Sequence, residues 1–281
     1  MAPRAATLSK PEPGVTADAR AVAFEGVSLA FDDNVVLRDV SFSVGAGSLT
    51  ILLGASGAGK SVILKLILGL MKPDSGVIRI NGQRTDNMTE VQLMKLRGDI
   101  GMLFQESALF DSLTVADNVG YRLYEETDMP ADDVRRRVEE ILGFIGLEEY
   151  IDQMPSELSG GQRRRVAIAR AVAAGPRLVL FDSPTSGLDP ITAKTVDAEI
   201  IKLRDLEHVT SILVTHQLDD AFYVASHEAV RENGRFAVIP ADQRKADDAE
   251  FLMLKDGRIY FEGSAVELRA SPDPYLKRFL S

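Results

Sequence analysis

Residues Gly54 to Ser61 read Gly-Ala-Ser-Gly-Ala-Gly-Lys-Ser and match Gly-x-x-x-x-Gly-Lys-Ser/Thr at every fixed position. Gly54, Gly57 and Gly59 allow a tight turn in which the backbone N–H groups, Ala55, Ser56 and Ala58 included, point inward. A helix running on from Val62 adds the favourable end of its dipole. A triphosphate is the expected occupant: Lys60 reaches its β- and γ-phosphates, and the Ser61 hydroxyl ligates Mg2+. Further along, the apolar run Leu178 to Phe181 closes on Asp182. A core strand ending in an acid suits a phosphate loop, because the carboxylate holds the water shell of Mg2+.

These residues need elements to carry them. Leu49 to Leu53 reads as a buried strand and Val62 to Met71 as a helix, which is the strand, loop and helix context the motif requires. Two antiparallel strands are expected around the turn Phe31 to Asn34, the second being Val35 to Leu37, with a separate strand over Val40 to Val44. Ile100 to Phe104 is a candidate core strand ending at Gln105, and Ser211 to Val214 another leading to His216. Between Glu106 and Leu158 the texture turns helical, with Val134, Val138, Ile141 and Leu142 at helical spacing among charges. The run Arg135 to Arg137 reads most simply as a solvated face. Leu158-Ser159-Gly160-Gly161-Gln162 precedes an alanine-rich helix over Arg163 to Ala174, and Ser186-Gly187-Leu188-Asp189-Pro190 follows the acid. Asn233-Gly234 and Asp256-Gly257 signal hairpins in an antiparallel tail, Ala241 to Glu250 an exposed loop, and Pro272 to Leu280 a short helix with Tyr275, Leu276 and Phe279 on one face.

With 281 residues, 45% hydrophobic and 26% charged, the chain can bury one large core or a core with a subdomain. Residues 1–20, rich in Ala and Pro, read as a disordered arm without the apolar centre of a secretory signal. No uninterrupted apolar stretch is long enough to span a bilayer. A net charge of −10 argues against a general nucleic-acid binder, and zero cysteines exclude disulfides and fit a cytoplasmic setting.

The ordered set Gly54 to Ser61, Gln105, Leu158 to Gln162, Leu178 to Asp182, Ser186 to Asp189 and His216 resembles the nucleotide-binding subunit of an ABC transporter over nearly all of Val22 to Leu280. The resemblance implies an α/β fold: a P-loop NTPase core of the ABC ATPase type with a helical subdomain (about 106–166) and an antiparallel β subdomain. It places the ATPase domain at 21–266, with an extended hairpin region over about 228–262, and a helical tail at 267–281. It implies ATP and Mg2+ as cofactors. It also implies a head-to-tail dimer, a homodimer or a pair with a second ATPase subunit, in which Ser159, Gly160, Gly161 and Gln162 of one subunit cap ATP on the other's phosphate loop. By the same resemblance Phe31 stacks on adenine, Gln105 touches Mg2+ or water and senses the transmembrane partner, and Asp182, Asp189 and His216 complete the site. Read singly, Phe31 fits a core aromatic, Gln105 a polar strand end, Asp189 a turn cap with Pro190, and His216 a satisfied strand-end histidine.

A narrower set is similar to the ATPases of Mla and MCE-type lipid transporters: Met102 to Gln105, Ala108 to Val115, Asp117 to Val119, Pro155 to Glu157, Asp189 to Thr192 and Asp273 to Tyr275. That implies membrane permease subunits and an MCE-type lipid-binding protein as partners, with the ATPase peripheral on the inner face of the membrane. Phe104 to Leu113, beside Gln105, is the expected surface for the permease, with Leu109 and Phe110 as its apolar anchors; read singly, those two fit the subdomain core as well. Other readings stay open: an importer ATPase for another substrate, a soluble non-transport ABC ATPase, or a nucleotide-binding regulatory subunit.

Two residues depart from the family pattern. Ser183 follows Asp182 where the family carries a glutamate, and a serine hydroxyl is no base near neutral pH. Hydrolysis then persists slowly through positioning, or a second carboxylate such as Asp189 acts through a water, or the subunit serves mainly as an ATP-driven clamp. Gln217 stands where an acid commonly follows the histidine.

Overall fold

In the computed structural model, which describes residues 20–232, 235–242 and 248–281 with the backbone alone at 232 and 235, two sheets share the work of holding the phosphate loop. The arm at 1–19, the Asn233-Gly234 turn and the middle of the 241–250 loop lie outside the described residues. The first sheet is antiparallel, in the order β2-β1-β4-β5, from β1 (Arg20–Phe31), β2 (Asn34–Gly45), β4 (Ser75–Ile80) and β5 (Gln83–Arg84). The second holds β3 (Leu49–Leu53), β6 (Ile100–Leu103), β7 (Leu178–Asp182), β8 (Thr210–Val214), β11 (Glu250–Lys255) and β12 (Arg258–Ser264), in the order β12-β11-β3-β8-β7-β6. It is parallel from β11 to β6, with β12 antiparallel on one edge.

Burial explains why these runs are strands. Every residue of β3 and β8 is buried, the pattern of a strand covered on both faces. Along β3 the two faces separate: Leu49, Ile51 and Leu53 join one apolar cluster and Leu52 the other. The first cluster includes the helical subdomain, which comprises α3 (Val115–Glu126), α4 (Ala131–Phe144) and α5 (Gly160–Val172). The second joins the antiparallel sheet to α1 (Lys60–Ile67) and α2 (Glu90–Gly98). The predicted Val134, Val138, Ile141 and Leu142 are the buried face of α4. Arg135 pairs with Glu139 and Asp152, and Arg136 with Asp133, as on a solvated face. Arg137 departs from that reading, since its side chain is only 15% exposed and donates to the Ala173 carbonyl.

Two sequence expectations are corrected. Val35 to Leu37 and Val40 to Val44 are one strand, β2. Asp39 sits at φ 52° and absorbs an extra residue, so that Val27 faces Val40 while Leu29 faces Leu37. A polar residue that tolerates the left-handed region turns an interruption of apolar pattern into a bulge. The C-terminal tail is likewise not simply antiparallel. β9 (His227–Glu232) and β10 (Arg235–Pro240) form a separate ribbon, but β11 enters the core sheet parallel to β3, with Glu250 opposite Thr50 and Met253 opposite Leu53. The closing elements, α8 (Ala265–Ala270) and α9 (Pro274–Leu280), pack Leu268 and Leu276 into the first cluster. Asp273 caps α9 through the N–H groups of Tyr275 and Leu276.

The long helix α6 (Pro190–Glu207) packs beside α7 (Leu218–Ser226) and buries Asp197 completely, with no hydrogen-bond partner for either carboxylate oxygen among the described residues. Burial, with Asp220 nearby, pushes its pKa from 3.8 up to about 8. The folded-state value therefore lies above the unfolded one. The favourable contribution is complete below about pH 4 and is lost as pH rises through about 8. Asp197→Asn is expected to melt at least ~4 °C above wild type at about pH 8, with the two curves converging near pH 4. A constant difference across that range in a thermal-denaturation series would place the ionised form, not the neutral one, in the folded chain.

Candidate functional site

The parallel sheet brings the separately spaced motifs to one edge. The phosphate loop leaves the end of β3, Asp182 ends β7, Thr215 and His216 follow β8, and Phe104 and Gln105 follow β6. β8 lies between β3 and β7, so Leu52 and Asp182 both face Val214. Hydrogen bonds continue the alignment past the strand ends, with Thr215 N donating to Leu52 O at 3.3 Å and Ser183 N donating to Val214 O at 2.8 Å. Ligands of open parallel sheets sit outside such strand ends.

The loop itself is built for close approach. A Cβ on Gly54 would stand 2.6 Å from the Leu254 carbonyl oxygen of the neighbouring strand, and Gly59, the N-cap of α1, holds φ 103°. Lys60, only 8% exposed, donates from Nζ to the carbonyls of Gly54 at 2.7 Å and Ala55 at 2.8 Å. Burial lowers its pKa, and the charge of Asp182 opposes that shift, so ammonium and carboxylate share one electrostatic environment. Beside the loop lies a cleft of about 770 Å³. Ala55 to Ala58, the start of β2 with Val35 and Val36, the turn Lys255 to Arg258, and Tyr275 line it. Its size suits a nucleotide, and loop N–H groups with basic side chains suit phosphate.

Ser183 sits in the left-handed region at φ 48° and is buried, and its hydroxyl lies 3.4 Å from Asp182 Oδ1. Asp189 caps α6, its Oδ1 accepting from Ile191 N and Thr192 N, both at 3.1 Å. Hydrogen bonding with Thr192 holds its carboxyl below the usual range. A carboxylate so engaged is a poor proton acceptor, which weighs against the second-carboxylate reading of Asp189. His216 is exposed just beyond β8. The Gln217 that replaces an acid has a partner of its own, since the buried Thr185 hydroxyl donates to its Oε1 at 2.6 Å and also touches Asp220. Burial raises the Asp220 pKa.

Other predicted residues stand apart from this edge. Phe31, 43% exposed at the tip of β1, is no core aromatic and is not among the residues lining the cleft. Ser159 to Gln162 start α5. Ser159 Oγ accepts from Gln162 N and Gln162 Oε1 from Ser159 N, while Ser159 and Gly160 face solvent. Gly161 is packed so tightly that a Cβ would overlap Thr192. Around Gln105, the two proposed anchors part company: Leu109 packs on the core, whereas Phe110 is 42% exposed, 4.7 Å from the Tyr121 ring and under the Arg170 guanidinium. With Phe104 and Met102 it lines a second groove of about 370 Å³. The fully buried Asn118 explains the Asp117-Asn118-Val119 element, because it ties down this loop through Phe110, Leu113 and Thr114.

Sequence reasoning passed over the Leu254 to Arg258 wall, the Thr185, Gln217 and Asp220 contacts, and Arg164. Asp256-Gly257 carried a turn signal, but only the pairing of β11 with β3 brings that turn to the phosphate loop.

Residues 37–186 match the family model described as ABC transporter. The chain belongs to the ABC transporter family. Among curated ABC relatives it is 35% identical over 262 residues to the intermembrane phospholipid transport system ATP-binding protein MlaF of Escherichia coli, covering 93% of this chain and 89% of that one. It is 42% identical over 214 residues to the sulfate/thiosulfate import ATP-binding protein CysA of Synechocystis sp., covering 76% of this chain but 59% of that longer protein. Among solved ABC structures, the cassette MJ0796, in a dimeric post-hydrolysis state bound to ADP and Pi, superposes with a TM-score of 0.71 at 30% identity, over 86% of this chain and 98% of that one. The fold is therefore that of an ABC ATPase, and the chain is an ATP-hydrolysing transporter subunit. No helix among the described residues is long and apolar enough to cross a membrane.

Proposed function

We propose that this ABC ATPase energises the movement of phospholipid or a related lipid. ATP draws two copies, or this chain and a second ATPase subunit, together, and hydrolysis lets them part. The observation that carries the lipid reading is the end-to-end match with a phospholipid-system ATPase, 93% of one chain on 89% of the other, against the partial coverage of the longer sulfate-import protein. Lys60 and the loop amides take the phosphates; Ser61, Asp182 and Gln105 would hold Mg2+, which would supply charge neutralisation at the phosphates. Asp182, a half-buried carboxylate at the strand edge whose charge reaches Lys60, fits a divalent ion's water shell. The exposed start of α5, with Ser159 to Gln162, caps the nucleotide of the opposite subunit. Phe31 stacks on adenine, and His216 faces the γ-phosphate.

The groove of Phe104 and Phe110 receives the permease, and the ATPase is peripheral on the cytoplasmic face through that contact. An MCE-type lipid-binding protein completes the assembly. The domain limits given by the resemblance, 21–266 with a tail at 267–281, are retained in this reading. The test is affinity purification of the tagged chain from its native membranes, followed by ATP-driven transfer of labelled phospholipid between vesicles. A permease with bound phospholipid and transfer dependent on ATP is the expected result; a permease that moves sulfate or an amino acid instead would sink the lipid reading. In the same purification Phe110→Ser is expected to lower the recovered permease by about tenfold, as a central aromatic anchor would, and Leu109→Ser to act through stability instead. Full recovery with a folded Phe110→Ser chain would remove this groove from the interface.

A further inference from the structure

Arg164 lies on α5, five residues beyond the capping Ser159, yet its side chain leaves the helical subdomain and is only 6% exposed. Its fork takes carbonyls from two different loops. Nη1 donates to Phe104 O at 3.0 Å and to Gln105 O, and Nη2 donates to Ser186 O at 3.3 Å. Ser186 N in turn donates to Ser183 O at 3.1 Å, so the second loop leads directly back to the residue beside Asp182. Nε finds no partner among the described residues, and burial shifts the pKa downward. A buried guanidinium satisfied only by neutral carbonyls is costly to keep.

The loop after β6 is strained where a second arginine of the same helix holds it. Ser107 and Ala108 are consecutive left-handed residues at φ 63° and 49°. Arg170 donates to both of their carbonyls, at 3.2 and 2.8 Å. Two arginines thus fasten the Gln105 loop to α5, but among the described residues Arg164 is the one whose hydrogen bonds also reach the loop behind Ser183.

We propose that Arg164 is a positioning residue for hydrolysis: it locks the Gln105 loop to the Ser183–Ser186 turn, so that the two move with the helix that begins at Ser159. The inference rests on the nucleotide-site reading and acts on the rate of the chemical step, not on the grip on ATP. A lysine cannot reproduce the fork, because it offers a point charge in place of a planar array of donors. The displaced atoms belong to the groups that orient water and metal, where small errors of placement are amplified in rate.

The test compares wild type, Arg164→Lys, Arg164→Gln and Arg170→Lys as purified full-length chains. Readouts are ATPase kcat and KM, affinity for a fluorescent ATP analogue, melting temperature, and hydrogen–deuterium exchange over 104–110 and 183–189. Arg164→Lys is expected to lose roughly tenfold or more in kcat while KM and analogue affinity stay within about twofold, and to exchange faster in both segments. Arg170→Lys should loosen 104–110 alone and lose less rate. Unchanged kcat, a fall in kcat matched by weaker nucleotide binding, or exchange rising in only one segment of Arg164→Lys would overturn the proposal. Should a variant not fold, or turnover be too slow to time, wild type decides: nucleotide must change exchange in both segments together, and independent changes reject the lock. Failure to bind nucleotide at all would instead count against the site reading on which the inference rests.

Discussion

Lys60→Ala is expected to abolish useful ATP turnover, lowering kcat by roughly 10²–10³-fold in a chain that still folds. The ammonium is buried at the mouth of α1, where charge interactions are stronger than in water, and shares its electrostatic surroundings with Asp182. It already faces the loop interior, held on the Gly54 and Ala55 carbonyls, so it needs only to exchange those acceptors for phosphate oxygens. Alanine removes the charge without filling the space. The two carbonyls lose a donor, which costs about 1–3 kcal/mol of stability if they stay dry. Phosphate release measured beside a melting curve separates the two effects. A folded Lys60→Ala chain turning over within about threefold of wild type would require another cation to carry the phosphate charge.

Ser183→Glu should act in the opposite direction, raising turnover by roughly 10²-fold by supplying a general base beside Asp182. The backbone argues that the position can accept the change in part. Ser183 N keeps its bond to Val214 O whatever the side chain, and the left-handed φ of 48° is a strain the serine already bears. The longer side chain cannot stay in the serine's buried place, 8% exposed, and is expected to turn out past the strand end beside Asp182, where a base is useful. It also removes the hydroxyl beside Asp182 Oδ1. Single-turnover hydrolysis of bound ATP is the measurement. No acceleration in a folded, ATP-binding variant would mean that positioning by Lys60 and His216, not proton abstraction, limits the rate, and that the serine does not slow the subunit.

Most of the parallel core and of the helical subdomain was legible because it is written locally. A continuous apolar run closing on Asp182, a glycine pattern between a strand and a helix, and Val134 to Leu142 at helical spacing each report their own burial. Val35 to Leu37 and Val40 to Val44 read as separate strands because a bulge, here at Asp39, looks in one dimension like a strand break. β11 was misplaced for a different reason: Phe251 to Leu254 says that the segment is buried, but nothing in it names Leu49 to Leu53 as its neighbour. The same limit hid Arg164. An arginine in the run Arg163 to Arg165 reads as one more surface charge, and only the tertiary structure turns this one inward while Arg163 stays exposed. Ser183 was conspicuous against the family pattern, but its left-handed backbone and its contact with Asp182 are properties of three dimensions.

The pairing of β11 with β3 also bears on how the chain is made. Some 200 residues separate the two strands, and β11 stands inside the sheet, between β3 and β12. During synthesis the Gly54 to Ser61 segment emerges long before the strand that flanks it, whose Leu254 carbonyl crowds Gly54. Closing so long an interval is among the slower steps of folding, and it cannot begin until β11 itself has been made. A ribosome-bound fragment that stops short of β11 therefore lacks one side of its phosphate cradle, and nucleotide binding waits for a strand made some 200 residues after the loop.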